Sequence, residues 1–544
     1  MDSRNALIAS LMIRPQEQEA QLPCRVLFAG AYAGNVQNDE LIFRQIRLNL
    51  QKPEQAMHEL GCAVDFSEVM PEWREPYEIR TLEDFHPSAL IQRSPLLSYA
   101  VNLRDQLLAD ISPSESLLAE AKDFLERYSP LEPAQQTDDF LYADLEVCLT
   151  DLLSQLLHCP AFTQLESLWR QLYALCESVR YHKASDIVLL NCSKADLVDD
   201  LAGEMIRSEL YERVYSREFG QFGGQPFNML VVDFYMEQTE QDLSLLQTLS
   251  DVGCSAHLPV VAPVSPHFIG FNGYEQLLGQ SLDEWFENPR FMPLHRLAEQ
   301  PRSRYLFLVL PDQVTRAPYH GSFSGFFFQE QVDADGCSLL WGSSCYSLAA
   351  TVLNTFDNQS SFSQMTGSFY GRELLHKPWQ DPMADMMLSP LEVDLPTSLV
   401  TDLSRHGFCV LSALPEENSS YFPQLNSLHQ LALSSDKAVP DAQLPYLLTI
   451  CRVAHMMKRV FREQIGSMDE PEQLRQKLEQ WLKSFVVDLE SPALDVMMKK
   501  PFRQADVILR RAEGCLMEVR LQPHLRYMDE RFQLSLDLIL QEVD

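Results

Sequence analysis

A chain of 544 residues, 46% of them apolar, has room for roughly two to four domains and enough apolar surface to fold, which excludes a disordered or low-complexity protein. Its 77 acidic against 43 basic residues give a formal charge of −34, which excludes a protein that coats nucleic acid or docks on anionic lipid, since both need clustered Lys and Arg. Twelve cysteines without a Cys-x-x-Cys read as reduced thiols packed as small hydrophobes, not as a disulfide framework or zinc site.

Residues 1–22 read as an N-terminal tail. Their apolar stretch, Ala6–Ile13, is too short for a signal peptide, and Gln and Glu follow it. No run approaches the ~18 apolar residues of a membrane span, so a cytoplasmic protein with no direct membrane insertion is expected. Residues 23–111 read as a small α/β unit: a buried strand in PCRVLFAGAYAG, strands at Phe43–Leu50, Val64–Val69 and Tyr77–Thr81, and a helix at 52–60. From Asp84 an apolar helical spacing (Leu90, Leu97, Val101, Leu107) is split by Pro95. Residues 112–137 carry Pro113, Pro130 and Pro133 around an amphipathic helix, Ser114–Tyr128, and read as a linker.

Residues 138–388 read as an α/β core. The stretch 138–180 has a 3.6-residue apolar period through Leu145, Leu149, Leu152, Leu156, Phe162, Leu165, Trp169 and Leu172. Then strands and helices alternate. DIVLLNC, FNMLVVDFYM, LPVVAPVS and SRYLFLVLP are strands; one long helix is expected from Ser193 to Phe219, another over TEQDLSLLQTLSDVGCSAH, and a buried helix over 339–356. Such alternation predicts a largely parallel sheet flanked by helices. Residues 389–544 read as a separate unit, with strands near Cys409–Leu411, Ala505–Leu509 and Cys515–Arg520 and helices at 443–465 and 471–485. Its last apolar stretch alternates Phe532, Leu534, Leu536, Leu538 and Leu540, the mark of a strand.

Catalytic candidates are sparse. The turn Phe219, Gly220, Gln221, Phe222, Gly223, Gly224, Gln225, Pro226 has neither GxGxxG nor a Walker lysine. It reads as a structural loop, with Gly220, Gly223 and Gly224 allowing positive φ and close packing, and Phe219, Phe222 and Phe227 anchoring it. Ser434 and Lys437 have SxxK spacing without a companion motif. Asp333, Asp335 and Gly336 open like a calcium loop that lacks its other ligands. His257, His267, His455 and His524 read as packing or capping residues, and Asp233 ends an apolar strand with no identifiable partner. No cofactor, metal or catalytic constellation is predicted, and the expectation is a non-enzyme.

Several segments, in order over about 140–544, resemble the large sheath subunit of type VI secretion, the VipB/TssC family. They include FTQLESLWRQLYALCE (162–177), LYERVYSREFGQFGGQPFNMLVVDFYM (210–236), QLPYLLTICRVAHMMKRVFREQIGS (443–467) and VRLQPHLRYMDERFQLSLDL (519–538). Within 23–110, IRTLEDFHPSALIQRSPLLSYAVNLRDQL (79–107) is similar to the small sheath subunit, the VipA/TssB family. NQSSFSQMTGSFYG stands where the large subunit has a Gly-rich loop opened by Arg. The resemblance implies a multidomain α/β sheath-type fold with mixed sheets flanked by helices, and a fusion-like sheath subunit that assembles around an inner tube and contracts. Implied partners are other sheath subunits or further copies, the inner tube protein, baseplate proteins and a ClpV-like disassembly ATPase. Strand exchange between neighbours makes Phe532–Leu540 the expected assembly strand. Leu117, Leu118, Phe124 and Leu125, on the helix Ser114–Tyr128, are either a tether or the face offered to that ATPase. The alternative is a non-polymerising adaptor or regulator at the baseplate or sheath end.

Overall fold

The computed structural model describes residues 23–36, 38–109, 114–129, 141–182, 184–221, 223–331, 339–359, 362, 365–366, 390–414, 419–433, 442–464, 471–489, 496, 500, 502–512, 514–523 and 534–540. In chain order the strands of the N-terminal third are β1 (Cys24–Gly30), β2 (Arg44–Arg47), β3 (Ala63–Val64), β4 (Tyr77–Glu78) and β5 (Ser185–Asn191). Next come β6 (Met229–Val232), β7 (Val260–Pro263), β8 (Leu306–Leu310), β9 (Gln313–Arg316), β10 (His320–Phe323), β11 (Phe326–Gln329) and β12 (Leu340–Gly342). The C-terminal part holds β13 (Phe408–Val410), β14 (Ser412–Leu414), β15 (Ser419–Tyr421), β16 (Phe502–Ala512), β17 (Gly514–Pro523) and β18 (Leu534–Leu540). The fold is α/β, as expected.

A seven-stranded sheet in the order β13-β8-β7-β6-β1-β5-β2 organises the chain. All its pairings are parallel except β2 against β5. The central strands are apolar runs because both faces are covered. Alternate residues feed two cores: Val26, Phe28, Ile187 and Leu189 face one, and Leu27, Ala29, Val188 and Leu190 the other. The helices Leu141–Leu157, Pro160–Val179 and Cys345–Gln359 cover the first face. The helices Lys194–Leu201 and Glu240–Ala256 cover the second.

The sheet corrects the expected domain boundary. β1 lies between β5 and β6, with Val26 opposite both Ile187 and Met229, so β1 and β2 of residues 23–111 belong to the main sheet, and the short β3–β4 pair is what the segment keeps to itself among the described residues. They also share a core with the following segment. Phe66, Tyr77 and Phe85 all pack on Phe162, with ring centroids 5.6, 6.5 and 5.3 Å away. Local reading divided the chain at its prolines; pairing across more than 150 residues joins it.

Three element readings change as well. The helix expected from Ser193 to Phe219 stops at Leu201, and a second segment begins at Glu209. The Asp200 carboxylate accepts from the Glu209 and Leu210 amides (2.7 and 3.1 Å), and Ser208 Oγ from the Tyr211 amide, so the restart has its own caps. Residues 212–216 then form a π turn. Leu340–Gly342, expected as helix, is a strand paired with β9, and the helix starts at Cys345. The strand at Val64–Val69 shrinks to Ala63–Val64. Pro95 does separate two helices, Pro87–Arg93 and Pro95–Ala109. Among the described residues no helix is long and apolar enough to cross a membrane.

Candidate assembly surfaces

The Gly-rich turn after residue 218 is held by contacts to two other parts of the chain. Gly223 has φ +85°, and a Cβ on Gly224 would stand 2.4 Å from the Glu218 carbonyl oxygen. Gly220 has neither constraint: nothing lies within 4 Å of its would-be Cβ. Glu218 closes the turn by accepting from the Gln225 amide at 2.6 Å. Arg25 of β1 donates to Glu218 at 3.1 Å and stacks 4.3 Å above the buried Phe227 ring. Pro226 is buried, and Phe222 lies outside the described residues. On the far side Phe219 meets His455, with ring centroids 5.5 Å apart, and Lys458 Nζ sits 4.6 Å from the Phe219 centroid.

That contact docks the helix Leu444–Gln464 on the end of the helix Glu240–Ala256. His455 Nε2 donates to the Ala256 carbonyl (3.0 Å), and Lys458 Nζ to the Ser255 carbonyl (3.2 Å). These carbonyls carry the negative end of the helix dipole, so donors and a cation are favoured there. Burial pushes His455 down to about 3, so it is neutral, and pushes Lys458 down to about 8. The turn thus packs against β1 and the helix Leu444–Gln464.

The expected assembly strand is a strand, but it is paired in its own chain. β18 runs antiparallel to β17, from Leu534 opposite Leu521 to Leu540 opposite Cys515. β17 also pairs with β16, which leaves β18 at the edge of a three-stranded sheet. Leu534, Leu536, Leu538 and Leu540 lie within β18; Phe532 lies outside the described residues.

The helix Glu115–Tyr128 starts as expected, Ser114 capping it through the Leu117 amide at 3.3 Å. Its apolar face is occupied. Phe124 and Leu125 are buried, and Leu117 and Leu118 pack half-buried on the same core. Phe124 and Leu125 are thus used within the chain, and Leu117 and Leu118 are the part of this face that keeps some exposure.

The catalytic candidates do not converge. Asp233, after β6, accepts from Tyr346 Oη (2.8 Å), which lies 3.2 Å from Tyr32 Oη. Burial pushes the Asp233 carboxyl up to about 6. Its neighbours are hydroxyls held in packing, with Phe28 stacked on Tyr346 at 5.1 Å. His257 Nδ1 lies 3.4 Å from Tyr305 Oη, 24 positions along the chain and one strand away from Asp233. Ser434, Lys437, Asp333, Asp335, Gly336 and His524 lie outside the described residues. Among the described residues no cluster of three or more His, Cys, Asp or Glu is arranged to hold a metal.

One network was not legible in the sequence. Glu166, fully buried, accepts from Arg170 at 2.7 Å and from Arg316 at 2.8 Å. Arg316 also pairs with Glu330 at 2.7 Å, and His158 Nε2 lies 3.2 Å from Glu330. Arg316 stacks over Tyr319 (4.1 Å), whose ring meets the His86 ring edge-on at 5.3 Å. The network therefore pins residues near 86, 158–170 and 316–330 to one point.

The described residues form an α/β body with helices on both faces of the seven-stranded sheet, followed by a three-stranded sheet with β18 at its edge. Family comparison supplies the class: residues 139–429 match the tail sheath N-terminal domain described as EvpB/VC_A0108, and residues 434–540 match the tail sheath gpW/gp25-like domain of the same description. The first match alone spans more than half of the chain, and the chain belongs to the VipB tail sheath family. It is 29% identical over 426 residues to the type VI secretion system sheath protein TssC1 of Pseudomonas aeruginosa, a relation that covers 73% of this chain and 84% of that protein.

Proposed function

We propose that the chain is a structural subunit of the contractile sheath of a type VI secretion system, working by self-assembly rather than catalysis. The observation that carries this reading is the consecutive match of both tail sheath domains over 139–429 and 434–540. The likeness to TssC1 over most of both chains supports it. The sheath would enclose the inner tube, meet baseplate proteins at one end, and work in the cytoplasm.

The segment 23–111 stands in for a small sheath subunit fused in cis. Its resemblance over 79–107 supports this, as does the way β1 fills the gap between β5 and β6. In that segment Asp84 of Glu-Asp-Phe-His-Pro accepts from the Arg80 and Thr81 amides (2.8 Å each) and pairs with Arg93, and Pro87 opens the next helix. A disassembly ATPase, if it acts, needs a handle other than the buried face of Phe124 and Leu125.

Electron microscopy of the purified protein, alone and with the inner tube protein, tests the reading. Ordered tubes or helical stacks are expected. Discrete particles under every condition would favour the adaptor at a baseplate or sheath end.

A further inference from the structure

In a chain of net charge −34, one groove of about 670 Å³ is lined by Arg25, Arg44, Arg47, Arg213 and Arg217, with Glu40 the acidic side chain among them. It lies on β2, the edge of the seven-stranded sheet that has no strand beyond it among the described residues. The arginines are not equivalent. Arg25 and Arg47 share the buried Asp186 carboxylate at 2.8 and 2.6 Å, so they are held in place. Arg44 is exposed and has no ion pair among the described residues. Arg217 is half-exposed and 3.5 Å from Glu212, and Arg213 pairs with Glu209 at 3.0 Å while its Nε is buried with no hydrogen-bond partner among the described residues. Arg44 is thus the groove cation with no carboxylate partner among the described residues, and Arg47 and Arg217 keep much of their side chains open to solvent beside it.

The other edge of the same sheet carries the opposite sign. At β13 the helix Leu282–Phe286 packs through Phe286 on Phe408 (5.8 Å), and the helix Thr397–Arg405 covers the same strand. Asp283, Glu284 and Glu287 are exposed there, with Asp402 beside them. Arg405 and His406 meet Asp283 at 3.7 and 3.3 Å, which leaves Glu284 and Glu287 without an ion pair among the described residues. Six strand spacings, roughly 29 Å, separate the two edges.

We infer that the arginine groove at β2 receives the acidic β13 edge, around Glu284 and Glu287, of a second copy of this chain. This rests on the self-assembly reading above and specifies its contact. The two surfaces differ and lie at opposite ends of one sheet, so the contact is head-to-tail and propagates instead of closing as a two-fold dimer. Complementary potential steers the copies into one register, and salt weakens the contact.

Two variants test it. One carries Arg44→Glu and Arg217→Glu, the other Glu284→Arg and Glu287→Arg; Arg25, Arg47 and Asp186 stay intact because they hold β1, β2 and β5 together. Thermal melting establishes that each folds, with Arg44→Gln and Arg217→Gln as the milder pair should the reversal melt early. Sedimentation and electron microscopy then read assembly. The wild type is expected to assemble and to lose assembly as salt rises. Each variant alone is expected to stay at least tenfold less assembled, and an equimolar mixture of the two to recover, because each supplies the sign the other now lacks. A wild type that assembles while both variants assemble unchanged overturns the groove contact and leaves the sheath reading standing. A wild type that remains monomeric at every salt concentration overturns both.

Discussion

At the scale of single residues, the Glu166–Arg316–Glu330 network makes the sharpest prediction. Burial pushes the Glu330 carboxyl up. Hydrogen bonds from His158 and Arg316, together with the charge of Arg316, outweigh that and hold it at about 2, below its ordinary 4.5. A depressed acid stabilises the fold above its unfolded value, and that contribution is lost as pH falls from about 4.5 towards 2. Glu330→Gln is therefore expected to cost about 3 kcal/mol at neutral pH and to flatten the pH dependence of stability across that window. Denaturant titrations at several pH values measure both; an unchanged slope between pH 4.5 and 2 would show that Glu330 is not the titrating group. The Gly-rich turn gives a paired test. Gly224→Ala pushes a Cβ against the Glu218 carbonyl and is expected to cost about 2 kcal/mol or more, whereas Gly220→Ala meets open space and is expected to stay within about 0.5 kcal/mol of wild type. Equal melting temperatures for the two would remove the packing argument for this turn.

Among the elements, β18 and the helix Glu115–Tyr128 are attached to the rest of the chain in very different ways. β18 is an edge strand near the chain's last residues, attached by one ladder to β17, so it can leave its own sheet with little loss elsewhere. Removing residues 531–544 is expected to leave β16 and β17 paired, and a soluble chain that melts cooperatively without associating. Leu536→Pro deletes a donor inside the ladder and is expected to act in the same direction. An insoluble truncated chain would mean that β18 is part of the folding core; a truncated chain that still forms tubes would move assembly to another surface. The helix Glu115–Tyr128 sits at the other extreme. Phe124 is buried against Tyr99 at 5.8 Å, and Phe124→Ala is expected to cost about 3 kcal/mol. A melt within error of the wild type would show that the helix is only loosely attached.

For the whole molecule, the seven-stranded sheet changes what the N-terminal segment is. Had residues 23–111 been an appended unit, cutting the chain within 130–140 would release two folding bodies. With β1 bonded on both sides, the C-terminal piece alone would expose β5 and β6 to solvent, along with the apolar residues that flank them. Expressing residues 138–544 alone is therefore expected to give aggregated protein, and co-expression with 1–137 to restore solubility, measured as the soluble fraction after centrifugation. A soluble, monomeric 138–544 fragment would mean that the sheet closes without β1. The same sheet separates a basic edge from an acidic one, a polarity suited to a subunit that stacks in one direction.

Much of this was written locally. Helical periods placed Leu444–Gln464 and Pro471–Lys483 to within a residue or two, and Pro95 divided two helices, because period and proline act over a few residues. The alternation of Leu534 to Leu540 marked a strand for the same reason. The turn at Gly223 and Gly224 was legible because only glycine accepts that backbone and that approach. What the local pattern could not hold was who pairs with whom. The cap that Asp200 provides to Glu209 restarts a helix that composition alone would run through. The Glu166–Arg316 pair spans 150 positions, and β1 meets β5 across 161. Apolar runs state that a strand will be buried but not beside which neighbour, so the sequence determined the class of fold and most of the elements, and only the tertiary structure decided that β1 of the N-terminal segment lies inside the sheet, between β5 and β6.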